Sequence, residues 1–168
     1  MSQVWSEVNK VVNIVIPVAD AFAGSVTSDV VNMENYKKCT FIIATGATSN
    51  DTGTVTVGAG TSSTGAATAI AFKYRTQVAS TGACTLAGGD VPSALTDATS
   101  TGFVMTAAKI GGLYIIEVDA STVAAGLTNA DHCAITVTED GSSGVTACVL
   151  AILSEPRYPQ AVLDTAID

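Results

Sequence analysis

Lys38-Cys39-Thr40-Phe41-Ile42-Ile43-Ala44-Thr45 is the stretch on which the fold class turns. Its β-branched and aromatic residues suit a pleated surface, and Cys39, Phe41 and Ile43 share one side of a period-two pattern. Moving downstream, Gly46 to Gly53 reads as a turn, and Thr54-Val55-Thr56-Val57 alternates threonine with valine. Gly58 to Gly65 reads as a flexible loop of small residues. Ala69 to Thr76 predicts one strand, with Ile70, Phe72 and Tyr74 opposite Ala71, Lys73 and Arg75. Ala79 to Ser100 predicts a long loop holding one short strand, closed by another at Thr101–Thr106. Gly112 to Val118 is apolar enough on both faces to lie centrally. Ala120 to Leu127 suits a single helical turn. Cys133–Thr138 and Ala147–Leu153 are the last strands, and the Asp140-Gly141 pair between them is a hairpin signal.

Working upstream, Lys10-Val11-Val12-Asn13-Ile14-Val15-Ile16-Pro17 reads as a strand that Pro17 ends or marks as an edge. Ser25 to Val31 alternates weakly. Residues 1–33 therefore predict an extended amino-terminal arm with the first strands, 34–154 the β-sandwich core, and 155–168 a tail broken by Pro156 and Pro159. The expected fold is all-β, a sandwich or jelly roll of about eight to ten short strands with extended terminal arms.

Composition narrows the function classes. The chain has 168 residues, 48% hydrophobic and only 13% charged, which argues against disorder. A formal net charge of -8 argues against direct nucleic-acid binding. The longest apolar run, Ala147–Leu153, is far short of the roughly 20 residues of a membrane span, so no membrane partner is expected. The first residues lack a basic segment followed by an apolar one, which predicts synthesis in a cytoplasm. Cys39, Cys84, Cys133 and Cys148 are spaced without close pairs, so free thiols are expected and no structural zinc.

Candidate chemistry is sparse. Gly53-Thr54-Val55-Thr56-Val57-Gly58 has the outer spacing of a phosphate-binding loop but no Lys-Ser/Thr behind it. His132 and Cys133 are adjacent, and neighbours on a strand point to opposite faces, so they do not predict a catalytic dyad. Asp119, Asp131, Glu139 and Asp140 lack the loop pattern of a calcium site and read as solvated rim charges. No catalytic residue, metal ligand or cofactor is therefore expected. Lys37, Lys38, Lys73 and Arg75 form a basic spot if their strands lie side by side, and surface solubility explains them equally well.

Two segments carry a resemblance. Tyr36-Lys37-Lys38-Cys39-Thr40-Phe41-Ile42-Ile43 and Val149-Leu150-Ala151-Ile152-Leu153-Ser154-Glu155-Pro156-Arg157-Tyr158-Pro159 resemble small virion structural proteins of tailed bacteriophages. The resemblance implies a non-enzymatic head-associated subunit, such as a capsid decoration or cement protein. It implies as partners the major capsid protein and copies of the chain itself, a trimer by analogy, in a virion assembled in a bacterial host. Tail or neck components are the neighbouring reading. The expected subunit contacts are Trp5, Val11, Ile14, Ile16, Arg157 and Tyr158.

The rival from another class is a carbohydrate- or receptor-binding sandwich, which would present aromatic residues on an exposed strand face. Trp5 lies instead in the arm, and Phe41, Phe72, Phe103 and Tyr114 fall in core-like strands.

Overall fold

Among the described residues, the alternating stretches condense into twelve strands and two short helices. The structure is a computed structural model, and it describes residues 4–46, 53–77, 91–105, 112–141, 144–158, 163 and 165–167. Helix α1 (Trp5–Val8) leads into β1 (Lys10–Val18), β2 (Ser25–Thr27), β3 (Val31–Asn32), β4 (Tyr36–Thr45) and β5 (Gly53–Gly60). Then come β6 (Thr68–Ile70), β7 (Phe72–Gln77), β8 (Thr96–Ala98), β9 (Phe103–Met105) and β10 (Leu113–Asp119). Helix α2 (Ala120–Gly126), β11 (His132–Glu139) and β12 (Ala147–Pro156) complete the chain.

Two antiparallel sheets form a β-sandwich. The first has the order β1-β12-β4-β10-β7-β8, and the second β2-β11-β5-β6, with β3 joining β11 and β9 joining β5. Period-two alternation sends one set of side chains from each sheet into a shared core. From the first sheet these are Ile14, Val149, Ala151, Leu153, Cys39, Phe41, Ile43, Tyr114 and Ile116. The second contributes Val55, Val57, Cys133, Ile135 and Val137, with Phe103 and Met105 of β9. At the β7 end Phe103 stacks on Tyr74 with ring centroids 4.0 Å apart and packs edge-on against Phe72 at 6.0 Å.

Several expectations are corrected. The single strand expected over Ala69–Thr76 is two: Ile70 pairs with Val57 in the second sheet, and Phe72 pairs with Ala98 in the first. The chain changes sheets at the exposed Ala71, and Ile70 and Phe72 both still reach the core. The hairpin expected around Asp140-Gly141 is a crossover instead. β11 pairs with β2, β3 and β5, while β12 lies between β1 and β4 in the other sheet. Gly58 and Gly60 belong to β5 rather than to a loop. The turn expected at 46–53 and most of the loop at 79–100 lie outside the described residues.

The terminal segments are built into the sandwich. β1 is the edge strand of the first sheet, and β2 and β3 extend the second. At the other end Ala166 is buried, its carbonyl accepts from the Asn32 N–H at 2.8 Å, and Leu163 and Ile167 pack against the core. The Lys10 ammonium donates to the Leu163 carbonyl at 3.3 Å.

Candidate interaction face

The outward faces of the two sheets differ in chemistry. On the second sheet, Ser25, Thr138 and Thr54 line up across three strands, as do Thr27, Thr136 and Thr56. The hydroxyls of β2 and β11 bond in pairs, Ser25 with Thr138 at 3.3 Å and Thr27 with Thr136 at 2.8 Å, while Thr56 Oγ1 donates to the Thr136 carbonyl at 3.4 Å. Such a threonine ladder is at ease in water.

The first sheet turns aliphatic side chains outward. Val11, Ile152 and Thr40 form one row across β1, β12 and β4. Leu150, Ile42 and Ile115 form the next, and Cys148, Ala44 and Leu113 the third, across β12, β4 and β10. Their inward neighbours Phe41, Ile43, Ile116 and Val149 are wholly buried, so these half-buried residues belong to the opposite side. The panel extends over four strands and three rows. With strands about 4.8 Å apart and a two-residue repeat of about 6.8 Å, its nine positions cover roughly 300 Å². Patches of that size are the largest a monomer normally exposes and are commonly functional.

Charges border this panel, and they are paired within the chain. Arg75 faces Glu117 at 3.8 Å, Lys73 bonds Asp97, and Lys38 bonds Glu155 at 2.7 Å. The last bond, together with the attraction of the two charges, holds the Lys38 ammonium above its ordinary range and the Glu155 carboxyl below its own. The basic spot expected from Lys37, Lys38, Lys73 and Arg75 is therefore corrected: β10 separates β4 from β7, and its Glu117 sits between them.

A groove of about 900 Å³ opens beside α2, lined by Lys38, Thr40, Lys73, Asp97, Glu117 and Asp119 over an apolar floor that includes Ile70 and Phe72. Five of those six side chains are charged, and four of them are partners in the ion pairs above. A smaller groove of about 460 Å³ adjoins it and brings Arg157 beside Lys37 and Lys38.

The six expected contact residues do not gather at one place. Val11 joins the aliphatic panel, 48% exposed. Ile16, at 65%, lies within the second register shift, between Val15 and Val18 and beside Pro17 near the far end of β1. Ile14 points inward and is 4% exposed, because alternation along β1 puts it with Val12 on the core side. Trp5 stands exposed on α1, and Arg157 and Tyr158 are exposed past β12. Reading the sequence for termini missed Ile42, Leu113, Ile115, Leu150 and Ile152.

His132 and Cys133 do not meet as a pair. The imidazole Nδ1 lies 2.5 Å from Asp131 Oδ1, and the Cys133 thiol donates to Met33 Sδ at 3.3 Å. Glu139 accepts a hydrogen bond from the Gly24 N–H at 2.8 Å. Among the described residues no three His, Cys, Asp or Glu side chains converge as metal ligands, and no helix is long and apolar enough to cross a membrane. Phe41, Phe72, Phe103 and Tyr114 are buried, and the exposed large aromatics among the described residues are Trp5 and Tyr158, neither within the panel. No protein-family model, curated protein or solved structure matches this chain.

Proposed function

We propose that the protein is a non-enzymatic structural subunit of a phage particle, a decoration or cement protein that lays the outer face of its first sheet onto the major capsid protein. The observation that carries this reading is the aliphatic panel of Ile42, Leu113, Ile115, Leu150 and Ile152 with Val11. In a two-layer sandwich, a strand that is apolar on both faces lacks a partner for one of them. Such strands are the mark of sheets covered on both sides. The covering layer here is another protein.

Two further features support the reading. The segments that resemble virion structural proteins, 36–43 and 149–159, contribute β4 and β12, which pair side by side through the middle of the panel. The charges along its border are already matched within the chain, so an aliphatic surface can approach without stranding an ion. A face of roughly 300 Å² makes a weak single contact, below the roughly 800 Å² per partner of a standard interface. Many copies on one shell make such a contact effective through avidity.

The test is binding to heads purified from the phage that encodes the chain, with this gene deleted, followed by co-sedimentation. Saturable binding at a fixed number of copies per head is expected, and light scattering on the free protein reports which copies travel together. Failure to sediment with the heads, accompanied by binding to a glycan array, would replace this reading with the carbohydrate-binding one.

A further inference from the structure

Helix α1 presents a side chain that its own fold leaves uncovered. A single turn of four residues does not hold its shape in water by propensity, and α1 buries none of its residues. Both of its ends are tied instead. The Val4 N–H donates to Glu7 Oε2 at 3.0 Å, and the Asn9 side chain donates to the Trp5 carbonyl at 2.9 Å. These bonds fix the backbone beneath Trp5, the one tryptophan of the chain. Trp5 stays 55% exposed, with Val4 beside it at 58%. An indole held on a pre-set backbone is the kind of residue on which interfaces anchor.

The groove beside α2 offers what an indole needs. Its floor is apolar, and Ala69, Ala71 and Ala125 leave the room that larger side chains would fill. At about 900 Å³ it has space for an indole and the valine ahead of it. The Asp119 carboxylate and the Thr122 hydroxyl stand in its wall as acceptors for the indole N–H. Lys38 and Lys73 bring ammonium groups suited to the ring face. Trp5 of the same chain is not in its wall. Helix α1 leads into β1 and packs beside β12, whereas the groove centres on β10 and β7. That is three or more strand spacings from β1, roughly 14 Å or more across the sheet.

We propose that Trp5 of one copy seats in the α2 groove of a second copy. The inference concerns how copies meet one another and does not rest on the shell reading. Donor and acceptor are different surfaces, so the contact is head-to-tail. Each copy gives one tryptophan and receives one, and repetition closes a ring where the rotation allows. Lys38 is matched by Glu155 and Lys73 by Asp97, so the indole displaces water without stranding those ions. The exposed half of Trp5 supplies roughly 100 Å² of the surface an aromatic can bury. A single contact is therefore weak, and association belongs to high concentration.

The full chain is followed by sedimentation velocity and by tryptophan emission from micromolar to millimolar concentration. Emission reports on Trp5 alone and should move to the blue as the mass rises. Trp5→Ala should weaken self-association about 30-fold, the loss at the threshold of a hot spot. Ala125→Phe fills the groove without adding a charge or a tryptophan and should weaken it equally. If Ala125→Phe does not fold, Ala69→Phe blocks the same groove from β6. Mixing separates the two surfaces, since Trp5→Ala supplies only a groove and Ala125→Phe only a tryptophan. The equimolar mixture should form a one-to-one dimer that grows no further, with blue-shifted emission. A parent monomeric at every concentration, association without an emission shift, or a mixture that stays monomeric would each overturn the assignment.

Discussion

At the scale of single residues, Gly58 shows how tightly the second sheet is covered. A Cβ built there would lie 1.8 Å from the Ala66 carbonyl oxygen and 2.8 Å from its carbon. Backbone cannot swing away as a side-chain tip can, so the sheet or the following segment must shift. Gly58→Ala should cost about 3 kcal/mol, at the upper end of overpacking penalties. In a chain of this length that lowers the melting temperature by about 10 °C. Gly65→Ala is the matched control, because nothing lies within 4 Å of its built Cβ. It should be neutral or slightly stabilising, through the smaller freedom of the unfolded chain. Thermal unfolding of the two variants side by side checks the pair, and equal melting temperatures would remove the close-approach explanation. Reading Gly58 as a loop residue missed this, because a glycine demanded by a passing backbone looks in sequence like one demanded by a turn.

Among the elements, the two chain ends behave differently. Helix α1 buries none of its residues, whereas the carboxy-terminal segment seats Ala166 in the core and carries Leu163 and Ile167 against it. Removing residues 1–9 should leave the unfolding midpoint in urea almost unchanged. Ending the chain after Tyr158 should cost about 2 kcal/mol, the worth of roughly 80 Å² of apolar surface returned to water. Equal midpoints for both truncations would show that the tail's seat contributes nothing. The seat of the carboxy-terminal segment does not read in the sequence, because Leu163-Asp164-Thr165-Ala166-Ile167 has neither the length nor the alternation of a strand. What reads well is local. Lys10–Val18, Tyr36–Thr45, Leu113–Asp119, His132–Glu139 and Ala147–Pro156 all announce themselves by alternation or apolar runs, to within a few residues. Pairing is what does not read. The Asp140-Gly141 signal is local and real, yet β12 finds longer partners in β1 and β4 than a hairpin with β11 would provide. Likewise nothing in Ile70-Ala71-Phe72 marks a change of sheet, since its alternation continues unbroken.

For the molecule as a whole, the aliphatic panel was present in the sequence in disguised form. The runs 36–45, 113–119 and 147–153 are each apolar at both odd and even positions, and a chain of 168 residues with two sheets can bury only one side of each. Knowing that the three are adjacent turns scattered surplus hydrophobicity into one surface, and adjacency comes only from the fold. Lysine substitutions on that surface separate assembly from stability. Ile42→Lys and Leu150→Lys each place a charge at the centre of the panel, where the free protein lets the long stem lie on its neighbours and the ammonium reach water. Each should therefore melt within a few degrees of the parent. In the complex the same ammonium is trapped without a partner, a cost of about 3 kcal/mol or more, equivalent to an affinity loss of at least about 100-fold for the shell. Thr56→Lys, on the threonine ladder of the opposite face, adds the same charge to the same molecule and should bind as the parent does. Net charge changes identically in all three variants, so a loss confined to the panel cannot be an effect of overall electrostatics. Equal weakening by Thr56→Lys would place the contact elsewhere, and unchanged binding by all three would leave the panel with no role in assembly.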